Sequence, residues 1–489
     1  MTELAVNKKL YAGIRVLMVG LAREGTALVR YLAESGAAVT VTDIKTADRL
    51  GAALSALADL AVTFVLGEHP LQLLEAVDIV FVSPGVPTDN PLLVAAGEKA
   101  IPISSETRLF TRLCPAPIVG VTGSSGKTTT TALTGEMLRA GGLRTWIGGN
   151  IGTPLLPDLP RMEATDVVVM ELSSFQLELL ARSMDEGGRS SARLTDSQLF
   201  TPSGWSPHIA AVLNITPNHL DRHPTMEAYI SAKAGILAHQ QPGDIAVLGW
   251  DNPVTRGMDA LTAGRRVLWF SIVEPVREGA FLSLDRLVLR LDGREEMICR
   301  RGDLGLLGAH NVANVLAASV LAAAAGVPLD AIRGAAATFQ GVDHRLELVR
   351  ESGGVRWYND SIATTPERTM AALNAFDDPI VLLAGGRDKH LPWSEMASLA
   401  WRKVRHLVLF GEAAGLIEHE MRQSPAAAGG ACRMHRCTDL EQAVFLASRL
   451  ATSGDVVLLS PGGTSYDAYP DFAARGNHFR QLVHSLELQ

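Results

Sequence analysis

The chain has 489 residues and a mass of 52.1 kDa, room for about two to four domains at the usual domain size. Its 52 acidic residues outnumber 44 basic ones for a net charge of −8, and aromatics make up 5%, so it lacks the basic footprint and stacking platforms of a nucleic-acid-binding protein. Hydrophobic residues at 47% and charged residues at 20% exclude a mainly disordered chain.

At the N-terminus, Lys8, Lys9 and Arg15 precede the short run Val16–Val19, with no small-residue cleavage site behind it. That run is expected to be a buried first strand and not a signal peptide. The longest small-apolar run, Val312–Val327, contains Asn314 and falls short of the ~20 residues that span a bilayer. Four cysteines in so long a chain suit a reducing compartment, so a cytoplasmic protein without a membrane partner is expected. Cys432 and Cys437 flank His435, but the set lacks a fourth ligand and reads as ordinary thiols.

In chain order, short apolar runs at Arg15–Val19, Ala38–Thr42, Ile79–Val82, Ile118–Val121, Val167–Met170, Ala210–Leu213, Ile245–Leu248, Ile380–Leu383, His406–Leu409 and Val456–Leu459 alternate with helical-period segments. Continuous runs of this kind suit strands covered on both faces, hence parallel α/β sheets. The runs fall into three groups, giving expected domains at 1–114, 115–341 and 342–489, with Cys114-Pro115-Ala116-Pro117 as the first linker. Met184–Pro207 and Ser424–Gly430 read as exposed insertions.

Gly20-Leu21-Ala22-Arg23-Glu24-Gly25 follows the first strand, and Asp43 closes the second. Ala22 stands where a dinucleotide fingerprint has the glycine that admits pyrophosphate, so bound NAD is not expected. A different nucleotide diphosphate, with Asp43 near its ribose or base, and a purely structural turn both remain open here. Ser83, just after Ile79–Val82, lies at the sheet edge where α/β ligands bind. The strongest signal is Gly120-Val121-Thr122-Gly123-Ser124-Ser125-Gly126-Lys127-Thr128-Thr129, which follows a strand and opens a helix. Glycines let backbone N–H groups close around phosphate, Lys127 would reach the β/γ-phosphates, and the Thr128 hydroxyl would ligate Mg²⁺. Val121 occupies a position that is glycine in the strict motif. Glu171 at the end of Val167–Met170 is placed to hold the same ion. The run Asn214–His223 is dense in amide, imidazole and charged groups, which singles out His219, whereas Lys233 by spacing alone is a solvated lysine.

Together with Gly148-Gly149-Asn150-Ile151-Gly152, Glu171–Glu178, Gly308–Asn314, His344-Arg345, Asn359-Asp360-Ser361 and Ser460–Gly476, these motifs resemble the Mur ligases of peptidoglycan synthesis from Gly20 to Gly476. The resemblance implies an α/β protein of three domains: a Rossmann-like domain for a UDP-substrate, a central P-loop ATPase-type parallel sheet domain, and a C-terminal dinucleotide-fold-like domain for the amino acid. It implies ATP-dependent ligation of glutamate, D-glutamate being expected, to UDP-N-acetylmuramoyl-L-alanine through an acyl phosphate.

The resemblance further implies ATP contacts at Gly123, Ser124, Ser125, Gly126, Lys127, Thr128, Thr129, Asn314, Arg345 and Asp360. Arg23, Asp43, Ser83, Asn150 and Ser173 would hold the UDP-substrate, and Thr364, Lys389, Ser465 and Phe472 the glutamate. Two Mg²⁺ ions are implied, served by Thr128, Glu171, His219 and a carbamylated Lys233, with Lys127, Lys233 and His219 catalytic. Ile362 replaces a lysine of the family motif, which leaves L-glutamate open as acceptor and makes Lys389, with Arg387 as a second positive charge, the expected carboxylate partners. Competing readings are a P-loop kinase or GTPase-like switch, a nucleotide sensor without turnover, and a sibling ligase of the folylpolyglutamate type. Nothing in the sequence demands more than a monomer.

Overall fold

A computed structural model describes residues 11–181, 204–218, 222–262, 264–306, 308–389, 391–428 and 431–486. It divides into two compact units, one running to Asp303 and including Ala313–Ala337, the other made of Leu304–Val312 and the chain from Thr338 onward. His219 and most of the Met184–Pro207 stretch lie outside the described residues.

The first unit holds two sheets. The N-terminal one is five-stranded, from β1 (Arg15–Val19), β2 (Ala38–Asp43), β3 (Val62–Leu66), β4 (Ile79–Val82) and β5 (Ile103–Ser104), in the order β3-β2-β1-β4-β5. All its pairings are parallel. The order reverses between β1 and β4, so their carboxyl ends form the crevice where doubly wound sheets take ligands. Both faces of β1 are covered: Val16 and Met18 join the core with Leu28 and Leu32, while Leu17 and Val19 pack with Val80, Val82 and Leu92. That two-sided burial is why the run Val16–Val19 has no polar alternation.

The second sheet is nine-stranded, in the order β14-β13-β12-β11-β10-β9-β6-β8-β7. Its parallel part comprises β6 (Ile118–Thr122), β7 (Thr145–Gly149), β8 (Val167–Glu171), β9 (Ile209–Val212), β10 (Ile245–Gly249) and β11 (Arg266–Ser271). Gly279–Ser283 (β12) pairs parallel with β11, and an antiparallel meander, β13 (Arg286–Leu291) and β14 (Arg294–Arg300), extends the edge. Since β8 and β9 flank β6, the loops leaving these three strands share one edge. One core cluster runs from Val16 and Phe81 of the first sheet to Val168 and Ala210 of the second.

The second unit carries a six-stranded sheet, β15-β16-β20-β17-β18-β19. Its strands are β15 (Glu347–Ser352), β16 (Val355–Asn359), β17 (Ile380–Gly385), β18 (Val404–Phe410), β19 (Arg433–Arg436) and β20 (Val456–Gly462). Only β15 is antiparallel to its neighbour. Ile380, Leu382 and Ala384 face one core cluster while Val381 and Leu383 face another, the period of two expected of a strand sandwiched by helices. Within the stretch read as an exposed insertion at Ser424–Gly430, Ser424 is buried, its Oγ 3.1 Å from that of Ser398. No helix among the described residues is long and apolar enough to cross a membrane.

In the first unit the helix Glu106–Leu113 is almost wholly buried, its first turn capped by Ser105. Glu106 therefore sits in the interior beside Glu24, and burial first, then repulsion from Glu24, pushes its carboxyl from an ordinary 4.5 up to about 8. Burial likewise pushes Glu24 up to about 7, against the pull of Arg23 and a bond from Gln176. Both folded values lie above the unfolded ones near 4.5, so the folded state binds more protons, and stability falls as pH rises from about 4.5 and levels off once the folded values near 7 to 8 are passed. Glu106→Gln, which cannot ionise, should flatten this dependence. Thermal unfolding at pH 5 and pH 9 is the check: the variant should melt on the order of a few degrees above wild type at pH 9 and much nearer to it at pH 5.

Candidate nucleotide site and its surroundings

The glycine-rich loop opens the helix Lys127–Ala140 directly after β6. Val121 is a fully buried strand residue, so the loop proper begins at Gly123 and a glycine at 121 has no turn to serve. Gly126 caps the helix at φ +82°, and a Cβ there would collide with Oδ1 of Asn314. Asn314 is buried against the same helix, accepting from Thr130 Oγ1 at 3.4 Å. The loop is braced by the strand next door. Asn214, just after β9, accepts from the Ser125 N–H at 2.9 Å, and Ser124 Oγ donates to the Thr216 carbonyl and lies 3.0 Å from the Tyr229 hydroxyl.

Two lysines converge on this loop. Lys127 Nζ donates to the Gly123 carbonyl at 2.9 Å, and Lys233 Nζ, from the helix Met226–Ala234, donates to the same oxygen at 2.9 Å and to Thr122 Oγ1 at 3.3 Å. Lys233 is only 1% exposed and lies over the Tyr229 ring, 4.9 Å from its centre. The solvated lysine expected from spacing is thus a buried one. Burial, then repulsion from Lys127, drives its pKa well below the ordinary lysine value, against the attraction of Glu171.

Glu171 ends β8 level with Val121 of β6. Its Oε2 accepts from Thr128 Oγ1 at 2.9 Å and its Oε1 from Asn150 Nδ2 at 2.7 Å. Among the described residues no cluster of three or more His, Cys, Asp or Glu is built to hold a metal. A hydroxyl and a single carboxylate beside a phosphate loop are nonetheless hard oxygen donors of the kind Mg²⁺ uses when phosphate and water complete its shell. The donor set fits that ion. Thr129 is 1% exposed, and among the described residues its hydroxyl has no hydrogen-bond partner.

At the crevice of the first sheet, Asp43 is spent on the backbone, accepting from the Leu21 N–H at 2.7 Å and the Lys45 N–H at 2.8 Å. Ser83 Oγ donates to the Gly20 carbonyl at 2.7 Å. Both therefore shape the loop between β1 and the helix Arg23–Glu34. Arg23 reaches out of that loop to the carbonyls of Gly152 and Asn150. Glu24 accepts from Gln176 Nε2 at 2.9 Å, and Gln176 Oε1 in turn accepts from the N–H and hydroxyl of Ser173. The structure so brings Arg23, Asn150, Ser173 and Glu171 into one network.

Arg345 and Asp360 belong to the second unit. Asp360 Oδ2 accepts from Ser460 Oγ at 2.8 Å and Oδ1 from the Leu346 N–H, and burial pushes its carboxyl up to about 7. Burial and the neighbouring Arg345 push His310 down to about 4. Thr364 Oγ1 accepts from Lys389 Nζ at 3.3 Å, uniting two of the residues expected at a glutamate site. Ser465 is buried in the loop after β20, and Phe472, whose carbonyl accepts from Ser361 Oγ at 2.8 Å, opens the helix Phe472–Ser485. Reciprocal bonds between Arg387 and Thr464 tie the loops after β17 and β20 together. Arg387, expected as a second positive charge, pairs through Nε and Nη2 with the Glu412 carboxylate at 2.8 Å, and its side chain is half exposed.

Sequence reasoning missed Tyr229, Gln176 and Arg475. Arg475 is 1% exposed and donates to Ser361 and to the Gly463 carbonyl, cross-linking the loops after β16 and β20. An arginine on an otherwise ordinary helix face carries no local signal of such burial.

A P-loop sheet and two further, mainly parallel α/β sheets in one chain define the class. The chain belongs to the Mur ligase family. Its residues 14–105 match the Mur ligase MurD-like N-terminal domain, 121–186 and 190–322 the Mur ligase middle domain, and 344–463 the Mur ligase glutamate ligase domain. It is 44% identical to a UDP-N-acetylmuramoylalanine–D-glutamate ligase of Symbiobacterium thermophilum over 96% of this chain and 98% of that one. A protein of the same name from Acetivibrio thermocellus is 41% identical over 99% of both. Among solved structures, the UDP-N-acetylmuramate-alanine ligase of Thermotoga maritima shares the fold at TM-score 0.59 and 18% identity, covering 96% of this chain and 99% of that one. A pseudomurein peptide ligase type C of Methanothermus fervidus shares it at 0.54 and 17%, with the same coverage.

Because Lys127 is the less buried of the paired lysines on the loop, Lys127→Ala should lose about 10²–10³ in nucleotide turnover while melting close to wild type. Steady-state ADP release together with a thermal melt checks this.

Proposed function

We propose that this chain joins D-glutamate to UDP-N-acetylmuramoyl-L-alanine at the expense of ATP, releasing ADP and phosphate, in the synthesis of peptidoglycan precursors. The observation that carries the reading is the near full-length likeness, at 44% and 41% identity, to ligases of that name. The chemistry suits the residues. A carboxylate is a poor acyl donor at neutral pH, so its oxygen must first bond to the γ-phosphorus of ATP as the bond to ADP breaks. The glutamate amine then attacks the acyl carbon, loses a proton, and phosphate departs. Two anions meet in the first step, and cations lower its barrier.

In this reading residues 1–114 bind the UDP-substrate through Arg23, Asp43, Ser83, Asn150 and Ser173, the last two contributed by 115–341, which otherwise binds ATP. Gly123 to Thr129 and Asn314 hold the phosphates, with Arg345 and Asp360 as further ATP contacts. Residues 342–489 receive glutamate at Thr364, Lys389, Ser465 and Phe472. Asp43 and Ser83 act by shaping the loop, since their side-chain oxygens are bonded to its backbone. Mg²⁺, bound by Thr128 and Glu171 with His219 serving a second ion, supplies charge neutralisation. The enzyme acts as a cytoplasmic monomer.

Lys233 acts as a carbamate. Its neutral amine attacks the carbon of CO₂, an N–C bond forms and a proton leaves, turning a buried cation into an anion beside Lys127. The buried ammonium, held well below its usual pKa, supports this, because only the free amine reacts.

Two outcomes test the reading. Purified enzyme should release ADP only when UDP-N-acetylmuramoyl-L-alanine and D-glutamate are both present; release with L-glutamate alone would overturn the choice of enantiomer, and release with neither would overturn the ligase. Lys233→Ala should be nearly inactive and partly restored by short carboxylic acids, and the wild type should show a ¹³C carbamate resonance after incubation with labelled bicarbonate. Full activity of Lys233→Ala without added acid would refute the carbamate.

A further inference from the structure

Building on the proposed reaction, the acceptor carries two carboxylates, and each needs a cation once removed from water. At the carboxyl edge of the third sheet most cations are already committed. Arg387 is spent on Glu412, and Arg475 is buried on Ser361 and Gly463. Lys389 rests on Thr364. The loop after β16 offers no cation of its own at 362, where the residue is isoleucine.

Arg368 stands apart. It lies in the first turn of the helix Pro366–Leu373 and folds back so that Nη1 donates to the Ile362 carbonyl at 3.1 Å. Its side chain is half-buried, and it forms no ion pair with any described carboxylate. Asp360, which feels its charge, is engaged with Ser460 and the Leu346 N–H. A cation in a first turn faces the positive end of the helix dipole, an unfavourable placement unless an anion joins it. One N–H of five is used on Ile362, which leaves the planar fork able to take a carboxylate in two-point fashion.

We propose that Arg368 binds one carboxylate of the acceptor while Lys389 and Thr364 hold the other, so that Arg368 sets the requirement for a dicarboxylic amino acid. The loop Asp360–Thr365 then recognises the acceptor through a cation brought in from the helix behind it.

Arg368→Gln tests this, because the amide can still donate to the Ile362 carbonyl while the charge is gone. With D-glutamate, ATP and UDP-N-acetylmuramoyl-L-alanine varied in turn, its KM for D-glutamate should rise about tenfold or more, as expected for loss of a charged hydrogen bond. The KM values for the other two substrates should stay within about twofold, and the preference for D-glutamate over D-glutamine should fall. An unchanged KM for D-glutamate, or an equal rise in that for ATP, overturns the proposal. If a thermal melt shows that Arg368→Gln does not fold, Arg368→Lys is read the same way: a severalfold rise in the D-glutamate KM supports the assignment and a wild-type value overturns it. A wild-type enzyme with no D-glutamate-dependent turnover would instead overturn the ligase reading.

Discussion

Two ammonium groups hydrogen-bond one carbonyl oxygen, that of Gly123, and much of the first unit is organised by the need to tolerate this. Like charges so close repel strongly where water is scarce. The protein answers with one carboxylate, Glu171, on the adjacent strand end, and with a lysine whose proton is loosely held. Neither answer is local. Glu171 arrives because β8 pairs with β6, and Lys233 because the helix Met226–Ala234 packs its Tyr229 beneath the loop. A site strained by positive charge is primed for anions, and phosphate or a carbamate would relieve it.

The same economy appears around Glu171, whose two oxygens serve different neighbours, Thr128 of the loop helix and Asn150 of the segment after β7. Arg23 grips the carbonyls of Asn150 and Gly152, and Glu24 is held by Gln176. The turn after β1 is therefore tied by hydrogen bonds to the loops of the second sheet. Glu24, part of this network, and the buried Glu106 beside it both have carboxyls raised above their ordinary values, first by burial.

In the second unit buried charge plays a structural part. Arg475 crosses between the loops after β16 and β20, and the Arg387–Thr464 bridge joins the loops after β17 and β20. With those loops locked, Arg368 keeps further donors beyond the one on the Ile362 carbonyl. The charge that matters is decided by which arginines are already paired, and pairing depends on neighbours far away in sequence.

How much could be read from the chain alone follows from how each feature is encoded. Strands such as β1, β8, β17 and β20 were legible because burial on both faces demands an unbroken apolar run. Strands at or near the edges were not: β14 is Arg-Glu-Glu-Met-Ile-Cys-Arg and mostly exposed, so its place rests on pairing with β13. The phosphate loop was legible because its glycines, Lys127 and Thr128 are adjacent and their geometry is set by the local backbone. Lys233 was not, since its burial comes from a bond to Gly123, 110 residues away. The pairing of Arg387 with Glu412, 25 residues on, was illegible for the same reason. Sequence by itself determined the strands buried on both faces, the loop and the family resemblance, which depend on near neighbours and on residue identity. Only the tertiary structure decided the charge state and pairing of each side chain, because electrostatic energy depends on distance and burial, and neither is a property of sequence order.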